Sequence, residues 1–390
     1  MDIFLQCIDT TSNTATNGFA AIKITALGRP AILLRLSQIL NQTQWYFDHL
    51  AEVSGALENE GIALEAFKKG IQDLGVDMSE DEAEQLFQII DVNEDKTIDN
   101  YEWHNFLTPQ LKLAKLFRAE PNKVGELGEP IIASMTDMEL NEMENMRRRL
   151  LTISKHAKEK GVRLMVDAEQ TYFQPAISRM TLEAMRDYNR DSPVVFNTYQ
   201  CYLKDSPNNI ERDIELSRRE GFYFACKLVR GAYMEQERLR ADTLGYDDPI
   251  HDSWENTNQC YNGNLSRVLQ EVQLKGANVM VASHNEDSVK YAVNSMQELG
   301  IAADDNKVFF GQLLGMCDAV TYALGQAGYS AYKYVPYGPV EEVMPYLSRR
   351  ALENRSLMKG VIKERQMLWA EVKRRFKAGQ LRYDPATAIS

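Results

Sequence analysis

Seven short runs of apolar, β-prone residues recur along the chain, and they constrain its fold more than any other feature. Helical stretches separate most of them, and Glu139–Lys160, Ala176–Asn189 and Glu286–Leu299 carry apolar residues at helical spacing. Alternating strands and helices predict a parallel sheet of the α/β class. The runs are Phe19–Thr25, Val162–Ala168, Val194–Gln200, Phe222–Val229, Val279–His284, Val308–Leu313 and Tyr332–Val335.

Polar residues stand where five of these runs end, at Asp167, Gln200, Lys227, His284 and Gln312. In a (β/α)8 barrel, the carboxyl ends of the strands form the rim that carries the active site. No glycine-rich dinucleotide or phosphate loop follows any run, which favours a barrel over a Rossmann fold. The alternative is that these residues are polar only because loops begin there. Seven runs leave a closed barrel one strand short, and we expect the missing strand upstream of the first residue.

Composition excludes several classes of protein. The net charge is −12, from 44 Lys and Arg against 56 Asp and Glu, so general nucleic-acid binding is disfavoured. No apolar run approaches the roughly 20 residues of a membrane-spanning helix. The five cysteines are scattered without a C-x-x-C, which fits a reducing compartment and argues against a zinc site. The first residues resemble neither a secretory signal nor a mitochondrial presequence.

More than 130 residues separate the first two runs, and they contain a motif of their own. Twelve residues from Asp91 to Glu102 have the ligand spacing of an EF-hand calcium loop. Lys96 stands where such loops normally have glycine, because the chain turns there with positive φ; the cost is about 1–2 kcal/mol. The motif predicts an EF-hand, while Lys96 leaves calcium binding open. The candidate ligands are Asp91, Asn93, Asp95, Thr97 through its carbonyl, and Glu102, with Asp99 at the ninth position.

A second, degenerate hand precedes this loop. Ile98 holds the eighth position of the loop from Asp91 to Glu102. Aligning Ile62 with that position puts Gly55 and Ala66 at ligand positions of the degenerate loop. Neither residue has a ligand side chain, so this hand would be only a structural partner. The predicted domains are a barrel at 1–36 and 115–380, an all-α EF-hand pair at 45–110 and a tail at 381–390.

Two neighbouring arginines, Arg349 and Arg350, lie in a predicted helix after the last run. Adjacent guanidinium groups can converge on one carboxylate with charge-assisted, bidentate hydrogen bonds. The alternative is a solvated basic face, since more Lys and Arg residues follow.

Six motifs occur in order and together resemble the proline dehydrogenase family. The resemblance runs from about residue 18 to 380, and the insert is similar to that of animal mitochondrial members. It implies a flavoenzyme with a distorted (β/α)8 barrel, here lacking its first strand. The motifs are Gln200–Tyr202, Lys227–Tyr233, Ser283–Asn285, Gly311–Met316, Tyr334–Gly338 and Tyr346–Asn354.

The resemblance also implies roles for individual residues. Arg349 and Arg350 would clamp the proline carboxylate, and Leu313 and Tyr334 would pack on its ring. Lys23 and Asp167 would form a charged pair beside the substrate and the flavin. Lys227 departs from bacterial members, which usually have Arg at this position. The FAD contacts would be Gln200, Lys227, Val229, Gly231, Ala232, Ser283, His284 and Glu353.

The implied activity is FAD-dependent oxidation of L-proline to 1-pyrroline-5-carboxylate, by hydride transfer to flavin N5, with electrons passed on to quinone. The implied location is the mitochondrial matrix beside the inner membrane. The basic, apolar helix Leu357–Phe376 could contact that membrane; the alternative is a solvated or packed helix. Enzymes that oxidise hydroxyproline tend to carry Ser in place of Tyr334, which favours proline over 4-hydroxyproline.

Two further alternatives come from other classes. One is a catalytically weak, calcium-responsive truncated form, suggested by the EF-hand and the missing strand. Because of that missing strand, we also expect a chain extended at its N-terminus to be more stable and more active. The other is an unrelated metal-dependent barrel enzyme. None of the five histidines has metal-ligand spacing to another, which argues against it.

Overall fold

The computed structural model describes residues 1–15, 17–54, 61–106, 117–119, 132–274, 276–336, 338–353 and 358–379. Within these ranges the helices are α1 (Asp2–Thr14), α2 (Pro30–Ser54), α3 (Leu64–Asp73), α4 (Glu80–Ile90), α5 (Asn100–Phe106), α6 (Asp137–Glu159), α7 (Gln174–Tyr188), α8 (Ser206–Glu220), α9 (Met234–Leu244), α10 (Trp254–Gln273), α11 (Glu286–Glu298), α12 (Asp318–Gln326), α13 (Val340–Glu353) and α14 (Met358–Lys377). None of them has the length and apolar content to span a lipid bilayer.

Seven strands form one sheet in which every neighbouring pair is parallel, in the order β1-β4-β5-β6-β7-β8-β9. The predicted parallel α/β class is thus confirmed, although an eighth barrel strand is not seen among the described residues. The strands are β1 (Phe19–Ile22), β2 (Ile62–Ala63), β3 (Thr97–Ile98), β4 (Arg163–Val166), β5 (Val195–Gln200), β6 (Phe224–Val229), β7 (Ala277–Ala282), β8 (Val308–Leu313) and β9 (Ser330–Tyr334).

Local chemistry explains where two predicted boundaries move. The first run was expected to continue to Thr25, but a short 3-10 helix, Ile24–Ala26, ends β1 at Ile22. Helix α6 begins two residues before the predicted start because Thr136 caps it. The Thr136 side chain accepts a hydrogen bond from the Glu139 backbone N–H, and the Glu139 carboxylate accepts one from the Thr136 N–H.

Aromatic rings meet inside the curled sheet. Phe19 on β1 packs edge-on against Tyr332 on β9 at 4.9 Å and against Phe309 on β8 at 5.0 Å between ring centroids. The Arg163 guanidinium on β4 lies 4.8 Å from the centroid of the Phe309 ring. The first and last strands of the sheet therefore face each other, as in a barrel, and these residues fill the interior at the amino ends of the strands.

The helical insert has a core of its own. Residues Ile62 and Ile98 pair across the two short antiparallel strands β2 and β3, in the predicted register. The Trp103 side chain is fully buried, and its indole N–H donates to the carbonyl of Thr43 in α2 at 2.9 Å. Helix α2 is shared: its first half packs in the core around the sheet and its second half in the insert core. The predicted gap between barrel and insert at residues 37–44 therefore lies inside one continuous helix.

Two arginines of the helices around the sheet bind the insert. The Arg219 guanidinium on α8 contacts Asp99 Oδ2 at 2.6 Å and lies 4.4 Å from the centroid of the Tyr101 ring. The buried Arg179 on α7 donates to the carbonyl of His104 in α5 at 2.7 Å. The loop of the predicted EF-hand and the helix after it thus dock on α7 and α8.

Candidate active site

The alternation of side chains along the strands brings most of the predicted site residues to the interior. In register, Phe19 pairs with Arg163 and Met280 with Phe309, so the aromatic layer defines which positions face inward. Counting by twos from that layer towards the carboxyl ends leads to the predicted polar rim. The rim positions reached in this way are Lys23, Asp167, Gln200, Lys227, Val229, His284, Leu313 and Tyr334.

Two ion pairs cross between strands at this rim. Lys227 on β6 contacts the Asp167 carboxylate that follows β4, with both side chains largely buried. The Lys23 ammonium after β1 lies 3.7 Å from Glu169 Oε2. The predicted Lys23–Asp167 pair was therefore wrong as to partners. Asp167 and Glu169 both face inward after β4, and the curl of the sheet brings Asp167 towards β6 and Glu169 towards β1.

Gln200 at the end of β5 is buried and held by its amide nitrogen. Its Nε2 donates to the carbonyl of Glu169 at 2.8 Å and to the Tyr202 hydroxyl at 2.7 Å. Its Oε1 has no hydrogen-bond partner and no contact with solvent among the described residues. A buried acceptor without a donor costs about 1–3 kcal/mol, which a ligand N–H would relieve.

The residues after β7 join the next strand. His284 Nε2 accepts a hydrogen bond from the backbone N–H of Leu313 at 3.0 Å. That bond leaves Nδ1 as the protonated nitrogen of a neutral ring. The buried Ser283 accepts from the Asn285 N–H at 3.0 Å, and its carbonyl accepts from Gln312 Nε2 at 3.3 Å. Ser283 thus stabilises the turn, while His284 fixes the end of β8.

Helix α13 reaches the rim through Tyr346 and Arg350. The rings of Tyr334 on β9 and Tyr346 lie 6.2 Å apart, and the Arg350 guanidinium lies 5.4 Å from the Tyr346 ring. Burial, the nearby Asp167 carboxylate and the Tyr346 hydroxyl raise the pKa of Tyr334. Tyr334 therefore stays a neutral hydrogen-bond donor in the field of the Asp167 carboxylate and the Arg350 guanidinium.

Less is seen of the contacts made by the other predicted site residues. Gly231 has φ +82°, and an added Cβ there would meet nothing within 4 Å, so its backbone borders open space. Ala232 follows it, and Val229 ends β6 beside Gln200. The backbones of Arg349 and Glu353 belong to α13, but their side chains lie outside the described residues, as does the predicted tail at 381–390.

The rim has groups that suit a flavin. An isoalloxazine ring carries an N–H donor and carbonyl acceptors, and Gln200 Oε1 is a buried acceptor without a donor. Lys227 offers a cation on the same face, and the Gly231 backbone leaves room for close approach. The residues present therefore fit the FAD that the resemblance implies.

The predicted calcium loop is closed by its own hydrogen bonds. Glu102 Oε1 accepts from the N–H groups of Val92 and Asn93, and Asp91 Oδ2 accepts from the Lys96 N–H. Lys96 has φ +69°, as the loop position requires. In the ranges that the structure covers, no three His, Cys, Asp or Glu side chains are placed to hold a metal ion. The assignment of calcium to Asp91, Asn93, Asp95, Thr97 and Glu102 stays a prediction without support from this arrangement.

Sequence reasoning missed Glu169, Thr25 and Tyr202. A signal for Glu169 was present, because it follows Asp167 by two residues and so shares its face of the strand. Thr25, whose hydroxyl donates to Glu169, lies in the 3-10 helix that was taken for strand. Nothing in the sequence distinguished Tyr202 from an ordinary buried tyrosine.

Comparison with known proteins shows which proteins this chain resembles. The chain is 48% identical over 391 residues to human (Homo sapiens) proline dehydrogenase 1, mitochondrial, covering 99% of this chain and 65% of that protein. It is 48% identical to the Caenorhabditis elegans protein of the same name, covering 98% and 62%. A Xenopus laevis hydroxyproline dehydrogenase is 48% identical over 249 residues, covering 63% and 53%. The chain thus spans between half and two thirds of the length of these relatives.

A solved structure shares the fold. The proline utilization A (PutA) protein of Bdellovibrio bacteriovorus, inactivated by N-propargylglycine, matches with a TM-score of 0.53 at 18% identity, covering 93% of this chain and 42% of that one. The sequence profile described as proline dehydrogenase matches residues 43–362, well over half of the chain. With the curled parallel sheet and its charged rim, this match shows that the chain belongs to the proline dehydrogenase family.

Proposed function

We propose that this chain oxidises L-proline to 1-pyrroline-5-carboxylate with bound FAD. The observation that carries the proposal is the rim itself, where Lys227 pairs with Asp167, Gln200 Oε1 is buried without a donor, and the Tyr334 ring lies 6.2 Å from that of Tyr346. The profile match and the names of the full-length relatives support the same reaction.

The basic residues of α13 would bind the substrate. Arg350 lies beside Tyr346, one turn away on the same helix, and both approach the end of β9. A guanidinium there can take the proline carboxylate with charge-assisted hydrogen bonds, and Arg349 would be the second member of the clamp. Leu313 and the Tyr334 ring supply an apolar wall against which the pyrrolidine ring can pack.

The remaining rim residues would orient the cofactor. Bound FAD would accept the hydride at N5 and would later pass its two electrons on to quinone. Gln200 Oε1 would accept a hydrogen bond from the N–H of the flavin ring. The Lys227 ammonium would stabilise negative charge on the flavin ring. His284 accepts from the Leu313 backbone N–H and so holds the end of β8, which carries the apolar wall, in place. The protein thus contributes positioning and electrostatics rather than acid–base chemistry.

Anaerobic titration with L-proline tests the proposal. Flavin absorbance should bleach on addition of proline, and Arg350→Ala should raise the proline concentration required about tenfold or more, since hydrogen bonds to charged groups contribute about 1.5–3 kcal/mol. Arg148→Ala, an exposed arginine on α6, is the matched control and should titrate like the parent protein. A flavin that stays oxidised in excess proline would rule the activity out.

A second candidate is oxidation of 4-hydroxyproline, because hydroxyproline dehydrogenases are among the relatives. Tyr334 argues for proline, since its half-buried ring would crowd a hydroxyl group on the substrate ring. Titration with trans-4-hydroxy-L-proline in parallel decides between them, and Tyr334→Ser should shift preference towards the hydroxylated substrate. Equal preference in the parent protein and the variant would remove Tyr334 as the discriminating residue.

We further propose a mitochondrial location, because the full-length relatives are named mitochondrial. Contact with the inner membrane would use α14, on which Leu368, Trp369, Val372 and Phe376 are exposed beside basic residues. Co-sedimentation with anionic vesicles, with and without Trp369→Ser, measures that contact.

A further inference from the structure

We propose that Glu169 is a positioning residue that sets both the charge beside the substrate and the orientation of the flavin-contacting amide. The inference rests on the proposed function for the substrate, but not for the geometry. Glu169 is buried, with 9% of its surface exposed. It lies two residues beyond Asp167, in the loop that follows β4 at the rim.

Each oxygen of the Glu169 carboxylate has its own partner in the segment that follows β1. Oε1 accepts from the Thr25 hydroxyl, and Oε2 faces the Lys23 ammonium at 3.7 Å. Asp167 is engaged by Lys227 instead. The charge of Lys23 is therefore balanced by Glu169, and the two ion pairs divide the rim into separate halves.

The Glu169 backbone has a different task. Its carbonyl accepts from Gln200 Nε2 at 2.8 Å, and its N–H donates to Gln174 Oε1 at 3.0 Å. Together with the bond from Nε2 to the Tyr202 hydroxyl, this bond fixes which way the Gln200 amide points, and so orients the unpartnered Oε1. Because Thr25 and Lys23 anchor the side chain, they also fix where this carbonyl lies. Glu169 thus links the charge of Lys23, which follows β1, to the orientation of the Gln200 amide at the end of β5.

The two tasks separate in two substitutions. Glu169→Gln keeps an acceptor for Thr25 but removes the charge, whereas Glu169→Ala removes the anchor altogether. We expect Glu169→Gln to lower kcat/KM for proline about fivefold, the effect of about 1 kcal/mol at a partly exposed ion pair. In a Lys23→Met background the same substitution should have almost no further effect.

The cofactor arm uses the apoprotein and flavin fluorescence. Glu169→Ala should weaken FAD binding about fivefold, because the Gln200 amide loses its support, while Glu169→Gln should stay within about twofold of the parent. Glu84→Gln, which breaks a 2.9 Å pair with Lys68 in the insert, is the matched control and should change neither quantity.

The outcomes discriminate clearly. Equal losses from Glu169→Gln with and without Lys23 would overturn the electrostatic role. FAD affinities of the Ala and Gln variants that fall together, or do not fall, would overturn the orienting role. If the parent protein fails to oxidise proline, the proposed function fails, and the FAD arm still decides the orienting role.

Discussion

Lys96 has a backbone conformation that only glycine adopts freely. Its φ of +69° follows from the turn that the calcium-type loop makes between Asp91 and Glu102. The sequence predicted this conformation, because the position is fixed by the ligand spacing rather than by tertiary contacts. Strain of about 1–2 kcal/mol is therefore held at this position.

Lys96→Gly should stabilise the protein against urea. The relief of strain is offset by the larger conformational entropy of glycine in the unfolded chain, about 0.4–1 kcal/mol, so we expect a net gain of about 0.5–1 kcal/mol. Lys69→Gly, at an exposed position inside α3, is the control and should lose about 0.5–1 kcal/mol. Equal losses from both variants would show that the loop does not strain Lys96.

At the same scale, partners were harder to predict than positions. The sequence placed Asp167 and Lys227 at strand ends, and in the structure Asp167 follows β4 and Lys227 lies near the end of β6. It could not assign the ion pairs, because Asp167 and Glu169 both face inward and the choice between them depends on the curl of the whole sheet.

At the scale of elements, the contact between α5 and the helices around the sheet contains a histidine among cations. Burial and the nearby Arg212, Arg179 and Arg186 guanidinium groups hold the pKa of His104 well below its ordinary value of 6.5. The buried Arg179 also donates to the His104 carbonyl, so helix and histidine are held together. Protonation of this ring would add a positive charge beside these three guanidinium groups.

The contact should weaken in acid. The unfolded chain takes up a proton at His104 near pH 6.5, whereas the folded chain resists it, so this stability is complete above about pH 6.5 and falls as the pH drops below that value. We expect His104→Gln to flatten the dependence of unfolding free energy on pH between 7 and 5. His49→Gln, on the more exposed His49, is the control. An unchanged slope in His104→Gln would contradict the assignment.

The seven strands were predictable as elements because the runs are rich in β-prone residues and lack the strict polar alternation of strands with one face in water. The pairing of Ile62 with Ile98 was also predictable from loop positions. The continuity of α2 was not, since its apolar residues serve two cores and the pattern reads as two separate segments.

At the scale of the whole molecule, the first and last strands of the sheet, β1 and β9, contact each other through side chains. In the described ranges, no backbone hydrogen bonds join β1 to β9, and the rings of Phe19, Phe309 and Tyr332 make the contact. The curvature of the sheet therefore depends on a few aromatic residues at its amino-terminal end.

Phe19→Ala should destabilise the protein strongly. Removing a packed aromatic ring costs about 3–5 kcal/mol, and here it also removes the contact between the first and last strands. Phe376→Ala, at a side chain that is 74% exposed, should change the unfolding free energy by less than about 0.5 kcal/mol. A loss below about 1 kcal/mol for Phe19→Ala would show that the edges are held by something else.

The shared helix α2 also determines how the insert can move. A linker of irregular chain would let two bodies swing independently, but 25 residues of unbroken helix carry rotation from one end to the other. Any tilt of the insert must therefore displace the wall of the sheet against which Leu33 and Leu36 pack. The insert and the sheet should therefore unfold in one transition, and a change in the loop near Asp91 should be transmitted through α2 to the helices around the sheet.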